Sequence, residues 1–195
     1  MRAVLVLAAL ADRLNREAGR PAIPSLYFFT DPKRTPDPAR IAAKLPRGAA
    51  VVFRHFGAAD RAETAHRLAR ICRARGLILL IANDPLLAHK VGADGVHWPE
   101  RSLGRSGAHL NTASAHSARA LARAKNRADI AILAPIFSSR SPSATHPLGP
   151  LRAGRLARAA TLPVIALGGV NARTAKRLLG RGFAGLAAID GLTDA

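Results

Sequence analysis

The stretch IANDPLLAHKVGADGVHW sets an amide and a carboxylate, Asn83 and Asp84, directly behind a run of apolar residues, with His97 further along. A carboxylate there suits Mg²⁺, which takes one or two carboxylates together with the phosphate oxygens of a substrate. The same Asp84 suits the start of a helix at Pro85, since proline is favoured in the first helical position. VVFRHF ends another apolar run on Arg54, where a charge calls for a partner: an anionic ligand, or an internal carboxylate such as Asp31 or Asp84. TASAHS supplies Ser114 and His116; a histidine there moves protons near neutral pH, unless it merely opens a helix. His97, within a short apolar run, reads as a core histidine ahead of a catalytic one.

Phosphate chemistry is suggested further along. In PVIALGGVN, Gly168 and Gly169 let backbone approach a ligand, and the segment after them offers unpaired amides to an anion. The alternative is a tight turn that needs glycine only for its backbone angles. The polar loop APIFSSRSPSATHPLGP (134–150) carries Ser139, Arg140 and Ser141, either over a phosphate-bearing ligand or as a solvated connector. Asp190 and Gly191 follow the last apolar run.

These residues all sit at the ends of short apolar runs, at 26–29, 49–53, 77–82, 95–98, 109–113, 130–133, 163–167 and 185–189. Amphipathic stretches lie between most of them, at 38–45, 58–75, 84–91, 116–125, 151–160 and 171–180; the 99–108 link has room for a turn of helix only. Alternating strands and helices make parallel βα units, and eight of them predict an α/β fold, a compact (β/α)₈ TIM barrel, with an open doubly wound sheet as the alternative. Chemistry in such a barrel gathers where the strands end, as these residues do. Asn171 is the expected N-cap of the seventh helix and Gly180 or Gly182 its left-handed end. Only GLTDA follows the eighth strand, so the last helix is missing or stunted. An extra helix within 1–20, with Leu5, Leu7, Leu10, Ala11 and Leu14 on one face, is expected to cover the surface that helix would have covered. A single domain over 1–195 is expected, with the barrel proper at 25–191.

Composition sets outer bounds. The 195 residues are 49% hydrophobic, and 25 Arg with 5 Lys give a formal net charge of +18. Nucleic acid would want those charges on one face with aromatics between them. The arginines are instead scattered through the predicted helices and aromatics are only 4%, so phosphorylated small molecules are the expected partners. Cys72 is the single cysteine, which rules out an intramolecular disulfide and points to a reducing, cytoplasmic setting. No apolar run has membrane-spanning length. MRAVLVLAALADR imitates a signal peptide, but its periodicity fits an amphipathic helix better. A homo-oligomer is left open.

Taken in order, LYFFTD, VVFRHF, IANDPLLAHKVGADGVHW, SAHS, APIFSS, PVIALGGVN and GFAGLAAI resemble the thiamine phosphate synthase and thiazole tautomerase (TenI) superfamily, over about residues 25 to 191. The resemblance implies a (β/α)₈ barrel. It also implies a synthase that joins hydroxymethylpyrimidine diphosphate to thiazole phosphate, releasing pyrophosphate with the help of Mg²⁺. By position, it implies that Arg54, Asn83 and Asp84 bind diphosphate and metal, and that Ser114 contacts diphosphate. It puts Gly168, Gly169 and the amides near Asp190 at the thiazole phosphate. The chain departs from the pattern in several places. The family's glutamine and lysine beside the arginine are Val52 and Phe56, and its second metal-binding aspartate falls near Ser102, with Glu100 close by. A Thr-x-Thr-Lys string reads Ser139, Arg140, Ser141, Pro142, which makes Arg140 the candidate cation. Asp190 replaces a serine and brings a carboxylate that repels phosphate. Two other functions stay open: a tautomerase in which His116 is the acid–base group, and a paralogue that binds a phosphorylated ligand without turnover.

Overall fold

The structure, a computed structural model, describes residues 2–20, 22–104, 106–107, 110–139 and 146–193. Eight parallel strands close into a barrel in chain order: β1 (Leu26–Phe29), β2 (Ala50–Phe53), β3 (Ile78–Ala82), β4 (Gly95–Trp98), β5 (Leu110–Ala115), β6 (Ile130–Leu133), β7 (Val164–Ala166) and β8 (Gly185–Ala188), which pairs back onto β1. Most of their residues are apolar because both faces of a strand are covered; β4 and β5, which bury His97, Asn111 and Thr112, are the exceptions. Tyr27, Phe29, Val52, Leu80, Ile132 and Ile165 fill the barrel, while Phe28, Val51, Phe53, Leu79 and Ile81 pack outward with helix residues. Successive residues thus alternate between two cores.

Outside the strands lie α2 (Pro38–Ala42), α3 (Arg61–Arg75), α4 (Pro85–Val91), α5 (Ala118–Ala124) and α6 (Pro150–Ala159). Local chemistry fixes their ends. Asp84 accepts the Leu87 amide at 2.9 Å to start α4, and Ser117 Oγ accepts the Ala120 amide at 3.1 Å to start α5. Gly76 and Gly92 close α3 and α4 in left-handed geometry, at φ 63° and 64°. Cys72 is buried on α3, where burial, helped by Asp94, pushes its thiol up to about 12.

Three expectations need correction. β5 runs on to Ala115 because Ser114 and Ala115 pair with Ile132 and Leu133, so Ser114 stands on the strand and not after it. The segment 171–180 forms only a 3-10 turn, Ala175–Leu178. Asn171 caps no helix but forms an Asx turn, its Oδ1 accepting the amides of Arg173 and Thr174 at 2.9 and 3.0 Å; the 3-10 turn is flanked by Thr174 and Leu179, and Gly180 at φ 66° lies beyond it. Finally, Leu5 is 61% exposed; the helix α1 (Arg2–Glu17) buries Val4, Leu7, Ala11 and Leu14 instead.

After β8 only a 3-10 turn, Asp190–Leu192, is formed among the described residues. α1 packs on β8 and β1 and so covers the wall next to it. Asn15 is buried and donates to the Ala184 carbonyl at 3.0 Å, and Glu17 accepts the Gly180 amide at 2.9 Å. Leu7 and Leu14 are fully buried, and trimming either to alanine would cost about 2–5 kcal/mol. Among the described residues no helix is long and apolar enough to cross a membrane.

Candidate active site at the barrel mouth

The C-terminal ends of the strands surround a cavity of about 480 Å³. Arg54, His116, Ser139, Gly168, Gly169 and Asp190 all line it. Asn83, Asp84 and Ser114, on the β3–β5 side of the mouth, do not. Arg140 and Ser141 lie outside the described residues.

The floor is made by the loops after β6, β7 and β8. Gly168 and Gly169 have φ of 98° and 64°, and a Cβ on either would lie 2.8 Å from Pro135 Cα or 2.5 Å from the Ser138 carbonyl oxygen. Both glycines are therefore required by the neighbouring loop as well as by the turn. The Ile136 and Phe137 amides donate to the Leu167 and Gly168 carbonyls at 2.9 Å, tying the two loops together. Leu148 and Gly149 donate back to Pro135 and Ile136, closing the polar loop at its base. The Gly168 and Gly169 amides make no backbone hydrogen bond among the described residues, which leaves donors for an anion in the cavity wall.

Charges run in a chain along the rim, over the adjacent ends of β2, β1 and β8. Arg54 donates Nε to the Thr30 carbonyl at 2.9 Å, lies 5.4 Å from the Phe29 ring centre, and has Nη2 3.8 Å from Asp31. Of the two partners open to it in the sequence, Asp31 is the one it meets. Arg34 bonds Asp31 at 3.1 Å and Asp190 at 3.3 Å. Partial burial raises the pKa of Asp31, but the amide and guanidinium of Arg34 outweigh it and hold the carboxyl below its ordinary value. Burial lowers the pKa of Arg54, against the pull of Asp31.

On the opposite side most polar groups pair with one another, although Arg61 Nε is buried without a partner among the described residues. Asp84 caps α4 with one oxygen and takes the Arg61 guanidinium with the other. Arg61 also reaches the Ala82 carbonyl and lies over Phe53 and Phe56. Partial burial raises the Asp84 pKa, but the Leu87 amide and Arg61 prevail and hold it below its ordinary value. Inside the barrel, His97 bonds Thr112 Oγ1 through Nδ1 at 2.8 Å and Ser114 Oγ through Nε2 at 2.9 Å. Burial, reinforced by Arg54, pushes its pKa down to about 3, so the ring is neutral. It is a core histidine with a polar task.

His116 is arranged differently. Its Nδ1 lies 2.6 Å from the Ala134 carbonyl oxygen, which only accepts, so Nδ1 carries the proton. The neutral ring then has its lone pair on Nε2, in a side chain that lines the cavity. Glu100 accepts the His116 amide and pairs with Arg123.

Sequence reasoning passed over Arg34 and Arg61. Each sits in a stretch that reads as solvated, yet Arg34 follows Asp31 by three residues, and Arg61 opens a helix beside Phe56, spacings that favour ion pairs and stacking.

The family model for thiamine monophosphate synthase matches residues 26–192. The chain is 34% identical to the thiamine-phosphate synthase of Thiobacillus denitrificans, over 87% of this chain and 87% of that one. It is 30% identical to the thiamine-phosphate synthase of Geobacillus kaustophilus, over 88% and 85%. A thiamine phosphate pyrophosphorylase from Pyrococcus furiosus has the same fold, with a TM-score of 0.76 at 23% identity over 95% of this chain and 91% of that one. With its barrel, its strand-end residues and these relatives, the chain belongs to the thiamine monophosphate synthase family.

Proposed function

We propose that the chain is a thiamine phosphate synthase that couples hydroxymethylpyrimidine diphosphate to thiazole phosphate. The observation that carries this reading is the cavity of about 480 Å³, floored by glycine amides and flanked by guanidinium groups, at the mouth of a barrel whose relatives bear that name. Its size is that of a small-molecule site, typically about 300–1,000 Å³.

In the reaction the bond between the pyrimidine methylene and the diphosphate oxygen breaks, pyrophosphate leaves, and the thiazole nitrogen lone pair forms the new C–N bond. Little covalent work falls to the protein; it holds the departing charge and keeps two rings in contact with water excluded. Arg54, fixed by Thr30 and Asp31, offers a guanidinium whose position is already set. Ser139 and, across the mouth, Asn83 supply polar contacts to the diphosphate; Ser114 adds one only by releasing His97. The amides of Gly168, Gly169 and Asp190 take the thiazole phosphate. Asp84 is the residue the family would use for Mg²⁺. The donor set here does not fit a resident ion: both its oxygens are engaged, Glu100 is paired with Arg123, and no three metal-ligating side chains gather among the described residues.

The His116 geometry supports a second reading, a thiazole tautomerase in which Nε2 takes and returns a proton. Incubation of the protein with both synthase substrates, with and without Mg²⁺, tests the first: thiamine phosphate should form and should persist in His116→Ala. No product above background would sink it. Tautomerase turnover lost in His116→Ala would establish the second, and thermal stabilisation by thiazole phosphate without any turnover would leave a binding protein.

A further inference from the structure

The carboxylate of Asp190 poses a physical problem for a phosphate site. It lines the same cavity as Gly168 and Gly169, and a phosphate dianion beside it would be repelled. The loop after β1 supplies the answer. Arg34 bridges the neighbouring loops after β1 and β8, with one Nη bonded to Asp190 at 3.3 Å and the other to Asp31 at 3.1 Å. Its side chain is 25% exposed and lines the cavity with the glycines.

The four side chains alternate in sign, Arg54, Asp31, Arg34, Asp190, so their formal charges cancel. A guanidinium has five N–H donors, and the two bonds of Arg34 use two of them. Donors therefore remain beside a carboxylate that is already neutralised. Arg54 is not equivalent: its Nε is committed to the Thr30 carbonyl and its face to Phe29. Arg34 is the guanidinium attached to the β8 loop, where the glycine floor and the Asp190 turn meet.

We infer that Arg34 is the cation that recognises the phosphate ester in this cavity, screening Asp190 and donating to the phosphate oxygens. This deepens the synthase reading, in which that ester belongs to the thiazole, and it rests on that reading for the identity of the ligand alone. Asp190 then acts as a brake on phosphate affinity that Arg34 offsets. A paired guanidinium also favours the planar, two-point geometry of a phosphate over a single charge, so lysine is a poor substitute.

The test is calorimetric binding of inorganic phosphate, thiazole phosphate and the unphosphorylated thiazole alcohol to the full chain and to Arg34→Ala, Arg34→Lys and Asp190→Asn. Arg34→Ala should weaken both phosphate ligands at least about tenfold while leaving the alcohol unchanged. Arg34→Lys should recover only part of the loss, and Asp190→Asn should tighten phosphate. The opposite signs matter: a mere latch between the two loops would be broken equally by Arg34→Ala and Asp190→Asn, and both would move binding the same way. Like-signed effects, an unchanged Arg34→Ala, or a wild-type chain that binds no phosphate would each overturn the inference. Arg34-dependent binding of inorganic phosphate without any of thiazole phosphate would sustain it and count against the synthase reading instead.

Discussion

The two sides of the barrel mouth use similar residues to different ends. Around β6, β7 and β8, loops nest on one another through glycine contacts and leave a cavity with amide donors in its wall. Around β3, β4 and β5, the polar groups close on each other: Arg61 on Asp84, His97 on Ser114. One side stands ready for a ligand. The other is held by internal pairs that a ligand must displace or do without. Polar residues at strand ends are thus not by themselves a site; what separates the two is that the glycine-floored cavity opens beside one of them and not the other.

The sharpest way to break this contrast is Gly169→Ala. The added methyl would meet the Ser138 carbonyl at 2.5 Å in a left-handed backbone. Shifting the floor by the order of 1 Å should lower thiamine phosphate formation about 100-fold, read in a steady-state assay. Little change would mean the floor is not where ligand sits. Next in size is Asp84→Ala, which strips α4 of its cap and leaves Arg61 without its carboxylate. Urea unfolding should show a loss of about 2–3 kcal/mol, and Arg61→Ala with Asp84→Ala should cost less than the two singly. Full additivity would show that the pair is not coupled.

The smallest effect expected is in pH dependence. The native pKa of His97, about 3, lies below the ordinary 6.5. The unfolded chain therefore binds more protons between those values, and stability falls as pH drops from 6.5 towards 3. His55, whose pKa is also lowered by burial, adds in the same direction. Asp31 and Asp84 lose their contribution only at lower pH, below the ordinary 3.8. Between pH 7.5 and 5, wild type should lose about 1–2 kcal/mol more than His97→Gln. Equal losses would mean that the His97–Ser114 bond holds no neutral ring in place.

Much of the barrel was legible because parallel strands covered on both faces must be largely apolar, and turns between them must be polar. Of the six candidates now around the cavity, five follow from strand ends, while Ser139 came from the polar loop and the family resemblance. Two things escaped this logic. Ser114 lies on β5 because strand length is set by pairing with β6, which the residue types of TASAHS do not encode. Arg34 and Arg61 escaped because 25 arginines make any one of them look like solvated surface. Only the fold shows which of them turns inward to a carboxylate. The helix at 171–180 failed for a third reason: Asn171 spends its side chain on an Asx turn, and the 3-10 turn that follows starts only after Thr174.

The docking of α1 onto β8 has a consequence in time. Asn15 and Ala184, which share a hydrogen bond, are separated by 169 positions. Synthesis runs from the N-terminus at about 5–20 residues per second, so α1 leaves the ribosome well before the wall it covers exists. Its apolar stripe of Val4, Leu7, Ala11 and Leu14 must wait, exposed, until the eighth strand arrives. Ring closure is then a late, long-range event, of the kind that slows folding.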